Sequence, residues 1–555
     1  MIRQLALALL LAIGLSAQPP SARLPHPTTS GYSITGTIVS LVTGQPLPTV
    51  TVSITATDNR QSSQSMQTGA DGHFAFTGLP AGKYSLTATA YGYRAQGFNQ
   101  HGNFFTGIAV GPDLDGSNLV FRLVPDAAIE GSVTDDDGEP VRNANLQLFQ
   151  RNNETGQQRT QVISNAATDD RGHYQFGHLA PGTYFVAVSA RPCYANYYAP
   201  GTVLPDPDNA ARVAEEKAQL DVAYPLTFYP TVEDSANASP IGLHPGERVT
   251  ADIMMHAVPA VHLRIKTGET DGSTVGVLAP RGFPRVSQRI FEGALVPVNS
   301  AQGFGYTPGM YEYTGIAPGR YVIEMPDSGS KRNGAGWYKE IDLSGTVELD
   351  ARENPALASV SGAVVLEDAT TRPTGKMLVE LINRTSGEGF TAPVSDKGLF
   401  DFKDDDIRPG TYDGELANAP GIHVKELLAK GARTAGRTIE IGAGGSVQLV
   451  CTATHTVAQI NGVVLRDDKP FAGAMVVLVP QDPSADWLLF RRDQSDSDGT
   501  FTLPEVLPGS YSAMALEDAW DLDWASPATL KPYLKNATPV EVTGEGKMSI
   551  RVQLQ

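Results

Sequence analysis

Cysteine is scarce: Cys193 and Cys451 are the only two in 555 residues. That excludes a disulfide-stapled scaffold and a zinc site built from cysteine alone. Basic charge is also short. Lys and Arg number 42 against 60 Asp and Glu, for a net charge of −18 and a pI near 5.0. No basic stripe runs through the chain, so nucleic acid is excluded as a partner. Long apolar runs are missing beyond the first residues, which leaves no segment able to span a bilayer as a helix. The common catalytic signatures are absent as well: G-x-S-x-G, H-E-x-x-H, C-x-x-C, the Walker loop and G-x-G-x-x-G.

What the chain does have begins with a leader. Arg3 precedes the short apolar run Leu5–Leu15, and Leu15-Ser16-Ala17 offers a small residue for cleavage. Pro19, Pro20 and Pro25 follow and argue against a core helix. Residues 1–17 are therefore read as a signal peptide and 18–30 as a proline-rich linker. Export to the periplasm or beyond is expected. Glycine (56) and proline (39) are plentiful without a collagen period, a sign of many turns and short strands.

One pattern recurs five times: glycine, any residue, an aromatic, any, an apolar, a short turn, then a glycine and tyrosine two apart. The copies are Gly72-His73-Phe74-Ala75-Phe76 with Gly82-Lys83-Tyr84, Gly172-His173-Tyr174-Gln175-Phe176 with Gly182-Thr183-Tyr184, Gly309-Met310-Tyr311-Glu312-Tyr313 with Gly319-Arg320-Tyr321, Gly398-Leu399-Phe400-Asp401-Phe402 with Gly410-Thr411-Tyr412, and Gly499-Thr500-Phe501-Thr502-Leu503 with Gly509-Ser510-Tyr511. The first glycine suits a turn with positive φ. The ring positions, two apart, share one face of a strand. Proline precedes the later glycine in four copies (Pro181, Pro318, Pro409 and Pro508), which predicts a type II turn. The tyrosine opens another alternating strand, as in Tyr321, Ile323 and Met325. Four copies also carry an opening strand, turn and strand that start at Gly36, Gly131, Gly362 and Gly462; the third begins instead near Val261 and diverges most. Short strands with frequent turns and no helical period indicate an all-β chain.

The opening G-x-V strand and the closing D-G-x-F/Y-x-F…P-G-x-Y resemble the carboxypeptidase regulatory-like domain. That resemblance implies a transthyretin-like β-sandwich of about seven strands, grouped with carbohydrate-binding-like folds, and the accessory rather than the peptidase part of such enzymes. The expected architecture is a tandem array of five β-sandwiches: 31–125, 126–258 with an extension, 259–352, 355–455 and 456–555.

Candidate sites are few. Trp520 and Trp524, with Trp487 nearby, are candidate stacking residues for a sugar; a spacing of four places the first two on one face of a helical turn. The competing reading has them plug the end of the last sandwich. Tyr194, Tyr197 and Tyr198 beside Cys193 pose the same question. Acidic turns at Asp135–Asp137, Asp169-Asp170, Asp404–Asp406 and Asp496-x-Asp498 suit calcium in principle, but Asp and Gly also build hairpin turns unaided. His244-x-x-Glu247 and His423-x-x-Glu426 have the spacing of a zinc carboxypeptidase, which needs a further histidine much later, and a turn at Pro245-Gly246 breaks the first. The function expected is a secreted, non-catalytic binding or scaffold protein whose partner is a polysaccharide or a surface protein. An adhesion or envelope module and a zinc hydrolase with many accessory domains are the alternatives. Oligomeric state stays open.

Overall fold

The computed structural model describes residues 31–58, 62–195, 219–266, 284–291, 293–298, 304–307, 310–326, 335–351, 357–367, 376–402, 407–481 and 487–555. The leader, the linker, Tyr197, Tyr198 and Asp404–Asp406 lie outside them. The described chain is built of strands joined by turns, with an α-helix starting at Pro527, and its sheets group into five two-layer sandwiches.

One topology serves all five units. The opening strand lies between the glycine-aromatic strand, antiparallel to it, and the last strand of the unit, parallel to it. In unit 1, Tyr32–Ser40 sits between His73–Leu79 and Gly116–Leu123. In unit 5, Ala458–Arg466 sits between Thr500–Val506 and Gly546–Gln553. Unit 3 lacks the glycine opening yet keeps the arrangement, with Val261–Lys266 between Met310–Ile316 and Val347–Asp350. The second layer of each unit is centred on the pair that includes the Gly-x-Tyr strand, as in Thr51–Ala56 with Gly82–Thr89. Inward residues of both layers form a separate core in each unit. Ile34, Val52, Phe74, Leu86 and Phe121 belong to the first, and Ile460, Val476, Phe501, Tyr511 and Val552 to the last.

The repeat residues have a shared physical task. The opening glycine faces the first aromatic across the strands: Gly36 with Phe74, Gly131 with Tyr174, Gly362 with Phe400 and Gly462 with Phe501. A Cβ at Gly462 would stand 2.2 Å from the Phe501 ring, and one at Gly36 would stand 2.2 Å from the Leu119 carbonyl. The ring fills the room that the missing side chain leaves. The tyrosine hydroxyl in all five units donates to the carbonyl four residues earlier: Tyr84 to Pro80 (3.0 Å), Tyr184 to Ala180 (2.7 Å), Tyr321 to Ala317 (2.7 Å), Tyr412 to Arg408 (2.9 Å) and Tyr511 to Leu507 (2.9 Å).

That bond corrects the turn expected there. The glycine before each tyrosine has φ of 156–159°, not the value near +80° of a type II turn. It is already the first residue of the strand and pairs with a neighbour, as Gly182 does with Leu243 and Gly509 with Val542. The tyrosine ring folds back over it as the hydroxyl reaches for its carbonyl. The left-handed residue belongs to the earlier glycine instead: Gly72, Gly172, Gly398 and Gly499 have φ of 68–78°.

The units touch one another. Phe149, Phe185 and Phe228 of unit 2 surround Phe291 of unit 3 at 5.0–5.6 Å between ring centroids. Arg408 of unit 4 pairs with Glu324 of unit 3 and lies 5.0 Å over Tyr338. Burial lowers the Arg408 pKa to about 10. Arg159 of unit 2 donates to the Arg384 carbonyl of unit 4. Unit 1 meets unit 5, some 400 residues further along the chain.

Candidate binding site at the junction of units 1, 2 and 5

The turn Asp496–Thr500 of unit 5 docks on unit 1. Its backbone closes in the usual way, with Gly499 N–H donating to the Asp496 carbonyl at 2.8 Å. The Asp496 carboxylate turns outward and accepts from Lys83 Nζ (2.5 Å) and from the Gly107 amide (2.8 Å). Ser497 Oγ accepts from the Ala109 amide (2.8 Å), and the Ser497 amide donates to the Gly107 carbonyl (2.9 Å). The turn thus extends the strand Ile108–Val110. Asp498 lies 3.7 Å from Lys83 and accepts from Thr500. At the pair singled out for calcium, an ammonium occupies the acidic side. Burial raises the Asp496 pKa, and the Lys83 hydrogen bond opposes that rise.

Beside the turn, buried Gln494 threads unit 1. Its Nε2 donates to the Asn99 carbonyl (2.7 Å) and to Thr106 Oγ1 (2.8 Å). His101 Nδ1 is 3.1 Å from Gln494 Oε1, which only accepts, so that ring nitrogen carries the hydrogen. Burial lowers the His101 pKa, against the hydrogen bond to Gln494, and so favours the neutral ring. A neutral imidazole stacks well on an indole, and the His101 ring lies 4.5 Å from that of Trp520, at 4°. Nothing fits between two rings at that spacing.

Arg492 then enters a cage of three rings. Its guanidinium carbon is 4.8 Å from the Phe104 centroid, 4.7 Å from Trp524 and 5.6 Å from Trp520. Ring faces compensate the charge without hydrogen-bonding it. The Arg492 pKa falls to about 10 through burial, and Nε has no hydrogen-bond partner. Unit 2 closes the junction from the far side. Trp524 Nε1 donates to the Asn153 carbonyl (2.9 Å), Asn153 Nδ2 to the Trp520 carbonyl (3.0 Å), and the Ala525 amide to the Gly156 carbonyl (2.8 Å). A Cβ at Gly156 would stand 2.4 Å from Ala525 Cβ.

The tryptophan candidates therefore have these places. Trp524 is buried and Trp520 half-buried in a cluster of unit 5 with Met475, Val477 and Met514; Trp524 also bonds unit 2, and Trp520 touches units 1 and 2. They sit in turns rather than on the helical turn their spacing predicted; the helix starts only at Pro527, behind the N-cap Ser526. Trp487 lies in a single 3-10 turn, Trp487–Leu489. What remains open at the junction is a cleft of about 620 Å³, lined among others by Asn103, Gln150, Arg151, Asn152, Trp520 and Asp521. The amide and guanidinium residues carried no motif. Gln150, Arg151 and Asn152 are consecutive, and only the fold brings Asn103 and Trp520 to them.

The other candidates do not converge. The His244 amide donates to Glu247 Oε2 (2.8 Å), so that carboxylate caps its own turn. His423 and Glu426 lie on one strand, half-buried and exposed respectively, with a bulge between them. Asp135 accepts from the amides of Asp137 and Glu139. Among the described residues, no three of His, Cys, Asp and Glu are placed to hold a metal. Cys193 is exposed and Cys451 buried, both as free thiols, and burial raises the Cys451 pKa to about 12. Tyr194 is exposed. No helix among the described residues is long and apolar enough to cross a membrane.

Comparison with known proteins gives a family. Residues 33–119 and 128–214 each match the carboxypeptidase regulatory-like domain. No curated protein matches the chain. Among solved structures, the TIE protein of Bacillus anthracis is 11% identical over 94% of this chain and 74% of its own, at a TM-score of 0.16. The minor pilin of Streptococcus agalactiae is 13% identical over 41% of this chain and 97% of its own, at 0.21. Two B repeat units of the Staphylococcus aureus collagen binding protein are 12% identical over 77% of this chain and 100% of their own, at 0.12. Sequence repeat, strand order and family match agree on two carboxypeptidase regulatory-like domains in this chain, at residues 33–119 and 128–214.

Proposed function

We propose that the protein is an exported, non-catalytic binding and scaffold protein, and that it takes a saccharide in the cleft between units 1, 2 and 5. The observation that carries this is the lining of that cleft. Planar amide and guanidinium groups from Asn103, Gln150, Arg151 and Asn152 stand beside the accessible part of Trp520. Such groups suit vicinal hydroxyls, while the Trp520 indole, stacked on His101 and facing Arg492, walls the cleft with its accessible edge. The sequence supports export through its leader and supports a non-catalytic role through its lack of enzyme motifs. No convergent set of histidines and acids among the described residues favours the hydrolase alternative.

The test is binding of the signal-free protein to a panel of soluble and insoluble polysaccharides. The double variant Asn103→Ala/Asn152→Ala removes cleft amides while sparing the bonds that close the junction. Binding by the native chain and loss of it in this variant, with an unchanged scattering profile, is the expected result. If no polysaccharide binds, the saccharide reading fails and a surface protein becomes the partner to capture. Binding that survives in the double variant puts the site elsewhere.

A further inference from the structure

Unit 4 differs from its siblings on the outer face of one sheet. Strands Leu399–Asp401, Ser359–Leu366, Ser446–Thr454 and His423–Lys430 lie side by side in that order. Their register sets Leu399 beside Ala363, Ala363 beside Val450, and Val450 beside Leu428. This row crosses all four strands on the side away from the core. Leu399 is 56% exposed, Leu428 54% and Val450 39%, and Val365, two residues beyond Ala363, is 49% exposed. The same row reads His73, Thr37, Val120 in unit 1 and Thr500, Val463, Arg551 in unit 5. The fold therefore does not require an apolar row here, and a contiguous outward apolar patch marks an interaction surface.

The next row identifies the occupant. It runs Asp401, Ser361, Gln448, Lys430, with Gln448 Nε2 donating to Ser361 Oγ at 2.8 Å. An acid stands on one edge strand and a base on the other, both exposed. Three strand spacings, about 14 Å, separate them, so these two charges do not meet within one copy. A two-fold axis parallel to the strands lays this face on itself. It sets Asp401 of one copy against Lys430 of the other, Leu399 against Leu428, and the small Ala363 against Val450, each pair twice. We propose that the outer sheet face of unit 4 binds a second copy of the chain in this way. The face is four strands wide, at the small end of specific interfaces, so the dimer is weak and depends on concentration.

Sedimentation velocity of the signal-free chain, from about 1 to 200 μM, tests it. A reversible monomer–dimer equilibrium is expected. Leu428→Glu abolishes it, and Asp401→Lys or Lys430→Asp alone weakens it by about tenfold or more. The double reversal Asp401→Lys/Lys430→Asp restores the native constant, which no effect internal to one copy explains. Melting curves of each variant confirm that the fold persists, and Ser361→Lys repeats the disruption should Leu428→Glu fail to fold. A monomer at every concentration, a dimer indifferent to Leu428→Glu, or single reversals that the double variant does not rescue each overturn the proposal.

Discussion

Units 2 and 5 carry the same turn, and it does different work in each. In unit 2, Asp169 bends its carboxylate back and accepts from the Arg171 and His173 amides at 2.9 and 2.8 Å, capping its own turn. Those bonds hold its pKa below the usual carboxylate range. In unit 5, Asp496 has the same backbone closure but gives its carboxylate to Lys83 and Gly107 of unit 1. Burial there pushes its pKa up. The lesson concerns spare hydrogen-bond capacity. A carboxylate offers about four acceptor positions, and a neighbour with donors takes it whenever the turn closes through backbone alone.

The comparison breaks or sharpens under mutation. The largest effect belongs to what the turns share. Gly172 and Gly499 both have φ of 76°, and a Cβ would meet the Val133 carbonyl at 2.6 Å and Pro470 Cβ at 2.8 Å respectively. Gly172→Ala and Gly499→Ala should each destabilise their own unit by about 3 kcal/mol in calorimetry. A large difference between them removes the common frame. Next comes what the turns do not share. Asp496→Ala should cost about 2 kcal/mol and loosen unit 1 from unit 5, seen as a larger radius of gyration in small-angle scattering. Asp169→Ala should lower the melting temperature less than Asp496→Ala does and leave the radius unchanged. Trp524→Phe loses the Nε1 bond to the Asn153 carbonyl and part of the buried indole, about 1–2 kcal/mol, and should keep an aromatic face beside Arg492.

The smallest effect is a pH drift. Asp493 is raised from an ordinary value of 3.8 to about 6, chiefly by burial, against the amides of Thr502 and Gln494. A carboxyl raised on folding favours the folded state while protonated. Its contribution is complete below about pH 4 and is lost as pH climbs through about 6. Measured against Asp493→Asn, which does not titrate, the native chain should therefore lose relative stability between pH 4 and 6. A flat difference across that window contradicts the burial of this carboxyl.

Much of the frame was legible in the residues. The glycine-aromatic and Gly-x-Tyr spacings announced the strands, and the outlying third copy still placed Tyr311 and Tyr321 in the core. Misread was the turn before the tyrosine, because its glycine serves a ring packed over it rather than a left-handed backbone. Hidden altogether was the left-handed Glu505, at φ of 56°, because glutamate does not advertise that conformation, whereas His178, at the same φ, is of a type enriched there. The tryptophans were legible as notable, but not their company. His101, Arg492 and Asn153 lie hundreds of residues apart in sequence or belong to different units, and no local pattern links them.

The sequence by itself determined five sandwiches, since period-two alternation, turn glycines and, in all units but the third, a ring paired with a glycine are local or nearest-neighbour demands that a unit meets alone. Only the tertiary structure decided that unit 1 returns to unit 5 and closes the cleft. That contact joins segments some 400 residues apart through single hydrogen bonds and ring stacking, and such contacts depend on the angle at which whole units meet, which no spacing of residues along the chain encodes.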